Sequence, residues 1–210
     1  MKQRLVVVGN GMAGMRTVEE LLGLAPDLYD ITVFGAEPHG NYNRILLSPV
    51  LAGEMSLDEI MINTEQWYED NAITLLKGKE VVKIDRLKRV VTAADGTEAP
   101  YDRLLLATGS DPIILPVSGV DLPGVVPFRN ILDVEAILGA TEPGNKAVVI
   151  GGGLLGLEAA HGLMKQGMDV TVIHLMETLM ERQLDEVAGD MLCASLEKRG
   201  LTVIRSAETE

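Results

Sequence analysis

The sequence has 210 residues, 47% of them hydrophobic, and a formal net charge of −13, so it can bury a sizeable core and is not a disordered chain. The acidic balance excludes a nucleic-acid or anionic-membrane surface, which would need clustered Lys and Arg, and no stretch reaches the ~18 apolar residues of a membrane span. One cysteine, Cys193, excludes an intrachain disulfide or dithiol redox pair; it sits in a helical pattern and reads as a small packing residue.

The apolar run over 5–8 predicts a strand, and it is too short for a signal peptide, so a cytoplasmic location is expected. The strand feeds Gly9-Asn-Gly11-Met12-Ala13-Gly14 and a helix over 12–24. A strand, a glycine turn and a helix in this order form a phosphate cradle. Gly9 permits the tight turn, Gly11 lets the backbone approach a pyrophosphate, and Gly14 lets the helix pack on its strand. One such motif is a weak signal, but a second strand over 31–34 leads to Glu37, 23 residues past Gly14. An acid at about 20 residues accepts hydrogen bonds from ribose hydroxyls.

Residues 35–56 are rich in Gly, Pro, Asn and Ser and read as an irregular connection. Ser56 with Glu59 predicts a capped helix, and 66–71 a further helical piece. Short strands over 73–76, 80–84, 89–92 and 103–106, with a turn at Asp95-Gly96, predict a small antiparallel meander inserted after the βαβ unit. The last of them ends in Ala107-Thr108-Gly109, and a loop dense in Pro and Gly follows.

A helix over 131–138 and a strand over 147–150 lead to a second cradle, Gly151-Gly-Gly153-Leu154-Leu155-Gly156, then a helix over 154–166 and a strand over 169–173. Two cradles, each with its strand and helix, are a strong signal. His174 stands where an NAD-selective site usually presents Asp or Glu. Imidazole can bond a ribose hydroxyl or, protonated, sit near a 2′-phosphate with Arg182 as a helper, whereas Glu177 and Glu181 work against a phosphate. The choice between NADH and NADPH stays open, with a lean to NADH. Met176, Leu179, Met180 and Leu184 recur at helical spacing and read as packing; a helix over 183–199, Gly200 and a strand over 201–204 follow. The three histidines, His39, His161 and His174, are too scattered to suggest a metal site. The expected fold is α/β: two Rossmann-like βαβ dinucleotide-binding units with a small antiparallel β meander inserted in the first.

Two cradles in one chain, the second following an Ala-Thr-Gly turn, resemble the FAD- and NAD(P)-dependent pyridine nucleotide oxidoreductases over essentially all of the sequence. The resemblance implies that Gly9, Gly11, Met12, Ala13 and Gly14 hold the FAD pyrophosphate. Glu37, with Pro38 beside it, would meet the adenosine ribose, the backbone at Val81 the adenine, and Ala107-Thr108-Gly109 the cofactor's backbone. Gly151, Gly153, Leu154, Leu155 and Gly156 would hold NAD(P)H, with His174 at its ribose end. Glu158 would lie near the nicotinamide and flavin rings, with Arg44 the nearest candidate cation. No side chain is expected to act as a nucleophile or general acid.

Within this superfamily the disulfide reductases carry CxxxxC, and related oxidases and peroxidases place a Cys after the Leu-Ser matching Leu47-Ser48. Here that residue is Pro49, and the Lys usual in ferredoxin and rubredoxin reductases is missing too. The set Gly9–Gly14, Tyr42-Asn-Arg44, Gly151–Glu158 and the run from His174 to Asp185 looks most like the large subunits of NAD(P)H-dependent nitrite reductases. The family closes its FAD domain with a further strand, so an FAD-binding domain over 1–115 and an NAD(P)-binding domain over 116–210 are both expected to be C-terminally incomplete. The resemblance implies an electron-entry flavoprotein that moves hydride from NAD(P)H to FAD and passes electrons to an iron–sulfur or sirohaem acceptor outside this chain. Nitrite reduction by the chain alone is not expected. The alternatives are a rubredoxin- or ferredoxin-reductase type of NADH oxidoreductase, and a truncated nucleotide-binding fragment that catalyses nothing and whose exposed apolar surface could drive homodimers.

Overall fold

The structure, a computed structural model, describes residues 2–209. In chain order the elements begin with β1 (Gln3–Val8), α1 (Met12–Leu24), β2 (Tyr29–Phe34), α2 (Leu47–Leu51), α3 (Glu65–Asp70) and β3 (Ile73–Leu76). They continue with β4 (Val81–Asp85), β5 (Val90–Ala93), β6 (Glu98–Pro100), β7 (Arg103–Leu106) and α4 (Ile131–Ala140). The last are β8 (Lys146–Ile150), α5 (Leu154–Lys165), β9 (Asp169–Ile173), α6 (Glu186–Lys198) and β10 (Thr202–Ile204). Two compact units result. The first takes the chain up to Arg44 with Ile60–Ser110, and the second Ile45–Glu59 with the chain from Asp111 onward.

In the first unit β3-β2-β1-β7 form a parallel sheet. Four successive residues of β1 are buried because both faces are covered. Leu5 and Val7 pack with Met15 and Val18 of α1, while Val6 and Val8 pack with Phe34, Val91, Ala93 and Tyr101. Two-sided burial is why this strand reads as an unbroken apolar run instead of an alternating one.

The meander differs from the sequence expectation. The strands over 73–76 and 103–106 pair parallel with β2 and β1, and only β4-β5-β6 are antiparallel. Parallel pairing needs a crossover and antiparallel pairing a tight turn. α3 precedes β3, and the whole meander is the crossover into β7. The tight turns stand on aspartates. Asp85 accepts from Leu87 N and Lys88 N, and Asp95 accepts from Thr97 N beside Gly96, whose φ of 87° needs glycine. A hydrogen bond from Lys79, helped by those from Thr97, lowers the Asp95 carboxyl to about 2.

Two further segments are corrected. The connection over 35–56 holds a 3-10 turn, Arg44–Leu46, and helix α2. Pro49 falls in the first turn of α2, where its missing N–H costs no intrahelical bond. Ser56 donates from N and Oγ to Glu59, at 2.7 and 2.8 Å, yet only a single 3-10 turn, Asp58–Ile60, follows. The chain leaves it at Met61, which enters a β-bridge with Tyr42.

α2 belongs to the second unit. Leu51 fills the space a Cβ on Gly162 of α5 would take, and Gln166 Nε2 donates to Leu51 O at 2.8 Å. The sequence places one boundary at 115; the compact units divide at 110/111 and give 45–59 to the second.

The second unit carries a parallel sheet, β10-β9-β8. One face, with Ala147, Val149, Val170, Val172 and Val203, packs on α5 and α6, where Cys193 is buried. Burial pushes the Cys193 thiol up, Glu197 and Asp190 add to the shift, and Arg205 opposes it. The other face leaves Val148 60% and Ile150 48% exposed. Residues 175–184 form turns instead of continuing as a helix. Of the four apolar residues at helical spacing, Leu179 is fully buried and Met176 is exposed. Met180 has φ 54°, and α6 starts afresh where Asp185 accepts from Ala188 N at 2.8 Å.

One ionic tie closes the first sheet. Asp102 accepts from Arg4 N, Nε and Nη2 at 2.8, 3.1 and 2.9 Å, joining β1 to the start of β7. These hydrogen bonds from Arg4 hold the Asp102 carboxyl well below the usual carboxylate range. A carboxylate with a lowered folded pKa contributes stability above its unfolded value, near 4, and loses it as pH falls. Urea titrations at pH 6, 4 and 3 are expected to show wild type losing stability below about pH 4. Asp102→Asn should start lower at pH 6 and fall less steeply; parallel acid limbs would refute the assignment.

Candidate functional site

Both glycine turns close on the same backbone geometry. Gly9 and Gly151 end their strands at φ 113° and 115°, outside the range of L side chains. The helix that follows sits directly on that turn: a Cβ on Gly14 would lie 2.7 Å from Gly9 O, and one on Gly156 only 1.9 Å from Gly151 O. Gly11 and Gly153 occupy the N-cap positions of α1 and α5, with no protein atom within 4 Å of a Cβ there.

Of the short helices, Thr64 caps α3 and α2 is uncapped. Among the helices of ten or more residues, Asn130 and Asp185 cap α4 and α6 through side-chain oxygens, whereas α1 and α5 have no side-chain cap. Their first N–H groups are left for another acceptor, and the N-terminal end of the helix dipole favours an anion. A pyrophosphate fits both places, with Met12 and Ala13 in the first turn of α1 and the exposed Leu154 and Leu155 in that of α5.

The structure brings Ala107 to the first cradle. A Cβ on Gly9 would lie 2.1 Å from Ala107 O, and Ala107 N donates to Val8 O at 2.8 Å. The turn continues through exposed Thr108 and through Gly109 at φ 78°. Val81 opens β4 half-buried, its backbone in register with Ala93.

Glu37 does not stand alone. Tyr42 Oη donates to Glu37 Oε2 at 2.7 Å, Arg44 Nη2 lies 2.6 Å from Oε1, and the Arg44 guanidinium stacks 5.1 Å from the Tyr42 ring centre. Pro38 beside it is exposed. Arg44, the candidate cation in the sequence, forms an ion pair with Glu37. Tyr42 lies outside the predicted site residues; from its β-bridge position it reaches the same carboxylate as Arg44, which opens the 3-10 turn that follows.

Glu158 finds its partner in Ser48, whose Oγ donates to Glu158 Oε2. Nothing local in the sequence signals this pair, which lies 110 residues apart. Both line a cavity of about 340 Å³ with Pro49, Leu154, Leu157 and His161.

His174 is buried, 7% exposed, and both ring nitrogens are engaged. Gly152 N donates to Nδ1 at 3.0 Å, and Nε2 lies 3.1 Å from Thr178 O and 3.2 Å from Glu181 Oε2. Leu179 fills the space of a Gly152 side chain, 2.4 Å from a Cβ built there, and Met180 N donates to Gly152 O at 3.1 Å. His174 thus braces the second cradle from inside.

Two strand, glycine-turn and helix cradles, each on its own parallel sheet, define a protein with two dinucleotide-binding folds. The chain belongs to the pyridine nucleotide-disulphide oxidoreductase family, which matches residues 3–210. It is 55% identical over 210 residues to "Nitrite reductase [NAD(P)H]" of Bacillus subtilis, covering all of this chain and 26% of that protein. It is 50% identical over 208 residues to the "Assimilatory nitrate reductase electron transfer subunit" of the same organism, covering 99% of this chain and 27% of that one. The crystal structure of NADH:rubredoxin oxidoreductase from Clostridium acetobutylicum matches with a TM-score of 0.88 at 28% identity, over 100% of this chain and 54% of that chain. The chain thus spans about a quarter of the length of these curated relatives. Among the described residues no helix is long and apolar enough to cross a membrane.

The two kinds of glycine separate by mutation. Gly9→Ala meets both a forbidden φ and a carbonyl at 2.1 Å, and should destabilise the first unit by about 3 kcal/mol or more. Gly11→Ala meets no protein atom and should keep the melting temperature within a few degrees while FAD affinity falls at least tenfold. Thermal melts paired with FAD titrations check both, and a Gly11→Ala protein that binds FAD normally would remove Gly11 from the cradle.

Proposed function

We propose that this chain is the electron-entry part of a NAD(P)H-dependent nitrite reductase, taking hydride from NAD(P)H onto FAD and sending electrons to an iron–sulfur or sirohaem acceptor outside it. The observation that carries the reading is the pair of glycine turns, opened at nearly equal φ by Gly9 and Gly151, whose helices are left uncapped. The printed names of the two Bacillus subtilis relatives support the choice of branch. In this reading the first unit is the FAD-binding domain and the second the NAD(P)-binding domain.

The flavin supplies the chemistry, accepting a hydride and releasing single electrons. The chain's own residues bind and orient. Amides at Gly11, Met12 and Ala13 hold one pyrophosphate, and those at Gly153, Leu154 and Leu155 the other. Glu37 accepts from the ribose hydroxyls of FAD, its orientation fixed by Tyr42 and Arg44. Ala107, Thr108 and Gly109 lie along the FAD backbone, and Val81 lends its backbone to the adenine. Ser48 fixes the rotamer of Glu158, which faces the nicotinamide. Pro49 at this place offers neither thiol nor ammonium, so electrons leave through the flavin without a protein dithiol.

A second reading, an NADH oxidoreductase that serves rubredoxin or a ferredoxin, is favoured by the named function of the Clostridium acetobutylicum structure. The acidic net charge of −13 counts against it, since docking an acidic carrier needs a basic face.

The visible spectrum of the purified chain, followed by anaerobic titration with NADH and then NADPH, tests the proposal. Yellow flavin bands that bleach with about one equivalent of reductant are expected. A colourless protein that takes up no added FAD would overturn it and leave a non-catalytic nucleotide-binding fragment. Reoxidation by rubredoxin or a ferredoxin faster than by an iron–sulfur or sirohaem partner would favour the second reading.

A further inference from the structure

His174 ends β9 at the position from which a dinucleotide fold reads the adenosine ribose, yet its ring has nothing left to offer a ligand. Nδ1 accepts from Gly152 N, so the ring proton sits on Nε2 and is shared between Thr178 O and Glu181 Oε2. In that tautomer the imidazole brings no positive charge to a phosphate and no free donor to a hydroxyl.

What the ring does instead is hold Glu181. The loop over 175–184 is tied to the centre of the second cradle three times: by His174 Nε2 to Glu181, by Met180 N to Gly152 O, and by Leu179 seated against Gly152. Met180 adopts φ 54°, a costly conformation for a residue with a side chain, and turns the chain immediately before Glu181. The Glu181 side chain is 33% exposed. One oxygen faces His174, and among the described residues Oε1 makes no hydrogen bond.

We propose that Glu181, anchored by His174, is the residue that selects the pyridine nucleotide, accepting a hydrogen bond from a free ribose 2′-hydroxyl and repelling a 2′-phosphate, so that the second cradle takes NADH over NADPH. The inference rests on the reading of that cradle as the NAD(P)H site. A 2′-phosphate brings close to two negative charges, and a carboxylate whose partner is a neutral ring does nothing to offset them. Exposed Glu177 adds to the repulsion; exposed Arg182 opposes it, as does Arg205, which donates to Glu177 O at 2.9 Å and is ion-paired with Asp190.

Calorimetric binding of ADP-ribose and of 2′-phospho-ADP-ribose to the full chain tests the assignment without any need for flavin or turnover. Wild type should bind ADP-ribose at least tenfold more tightly. Glu181→Gln should narrow that preference about tenfold, chiefly through tighter binding of the phosphorylated ligand, and Arg182→Ala should leave ADP-ribose preferred. An unchanged preference in Glu181→Gln, with both ligands still bound, would overturn the selecting role alone. If wild type bound neither ligand, the reading of the second cradle would fall with it.

Discussion

Everything in the two units follows from how close a helix start can come to the carbonyl that ends its strand. Residues Gly14 and Gly156 leave less room than a methyl group above Gly9 O and Gly151 O, and Gly9 and Gly151 hold φ values that only glycine adopts readily. That closeness fixes the helix over the end of the sheet and turns its first N–H groups away from the protein. Because no side chain caps those groups, the same constraint that packs α1 and α5 also makes their N-termini anion sites. In the first unit a third strand end joins in, with Ala107 O pressed against Gly9.

The two cradles use their middle residue in opposite ways. In the first, Asn10 projects a side chain: its Oδ1 accepts from Tyr68 Oη at 2.9 Å and its Nδ2 reaches His39 O at 3.4 Å. In the second, Gly152 has no side chain, and Leu179 and His174 occupy the vacated space. Either way the middle of the glycine turn anchors the loop that leaves the second strand, and that loop carries an acid, Glu37 in one case and Glu181 in the other.

The sequence made the strands, helices and glycine turns legible because they are local: an apolar run, a helical period and three glycines all lie within about twenty residues. β1 and β8 look alike as apolar runs, yet β1 is buried on both faces and β8 on one, since covering a second face depends on the distant β5 and β6. Strand direction over 73–76 and 103–106 was illegible for the same reason. The loop over 175–184 misled in another way. Met176, Leu179, Met180 and Leu184 mimic a helix face, but the chain is drawn back to Gly152 by tertiary hydrogen bonds and only Leu179 is fully buried. Ser48 with Glu158 and Arg44 with Glu37 depend on tertiary placement; the first pair has no local signature at all.

The partners of the two acids separate their chemistry. Glu37 faces a guanidinium at 2.6 Å and a phenol at 2.7 Å, so its charge is largely offset while each oxygen keeps a lone pair for a hydroxyl. Glu181 faces an imidazole that, by accepting from Gly152 N, has given its only proton to the shared contact and carries no compensating charge. A compensated carboxylate recognises a hydroxyl with little penalty for added negative charge nearby, whereas an uncompensated one penalises it through the full like-charge repulsion. On the proposed assignment, discrimination against a phosphorylated ribose belongs at the second cradle and depends on His174, which holds Glu181 in place.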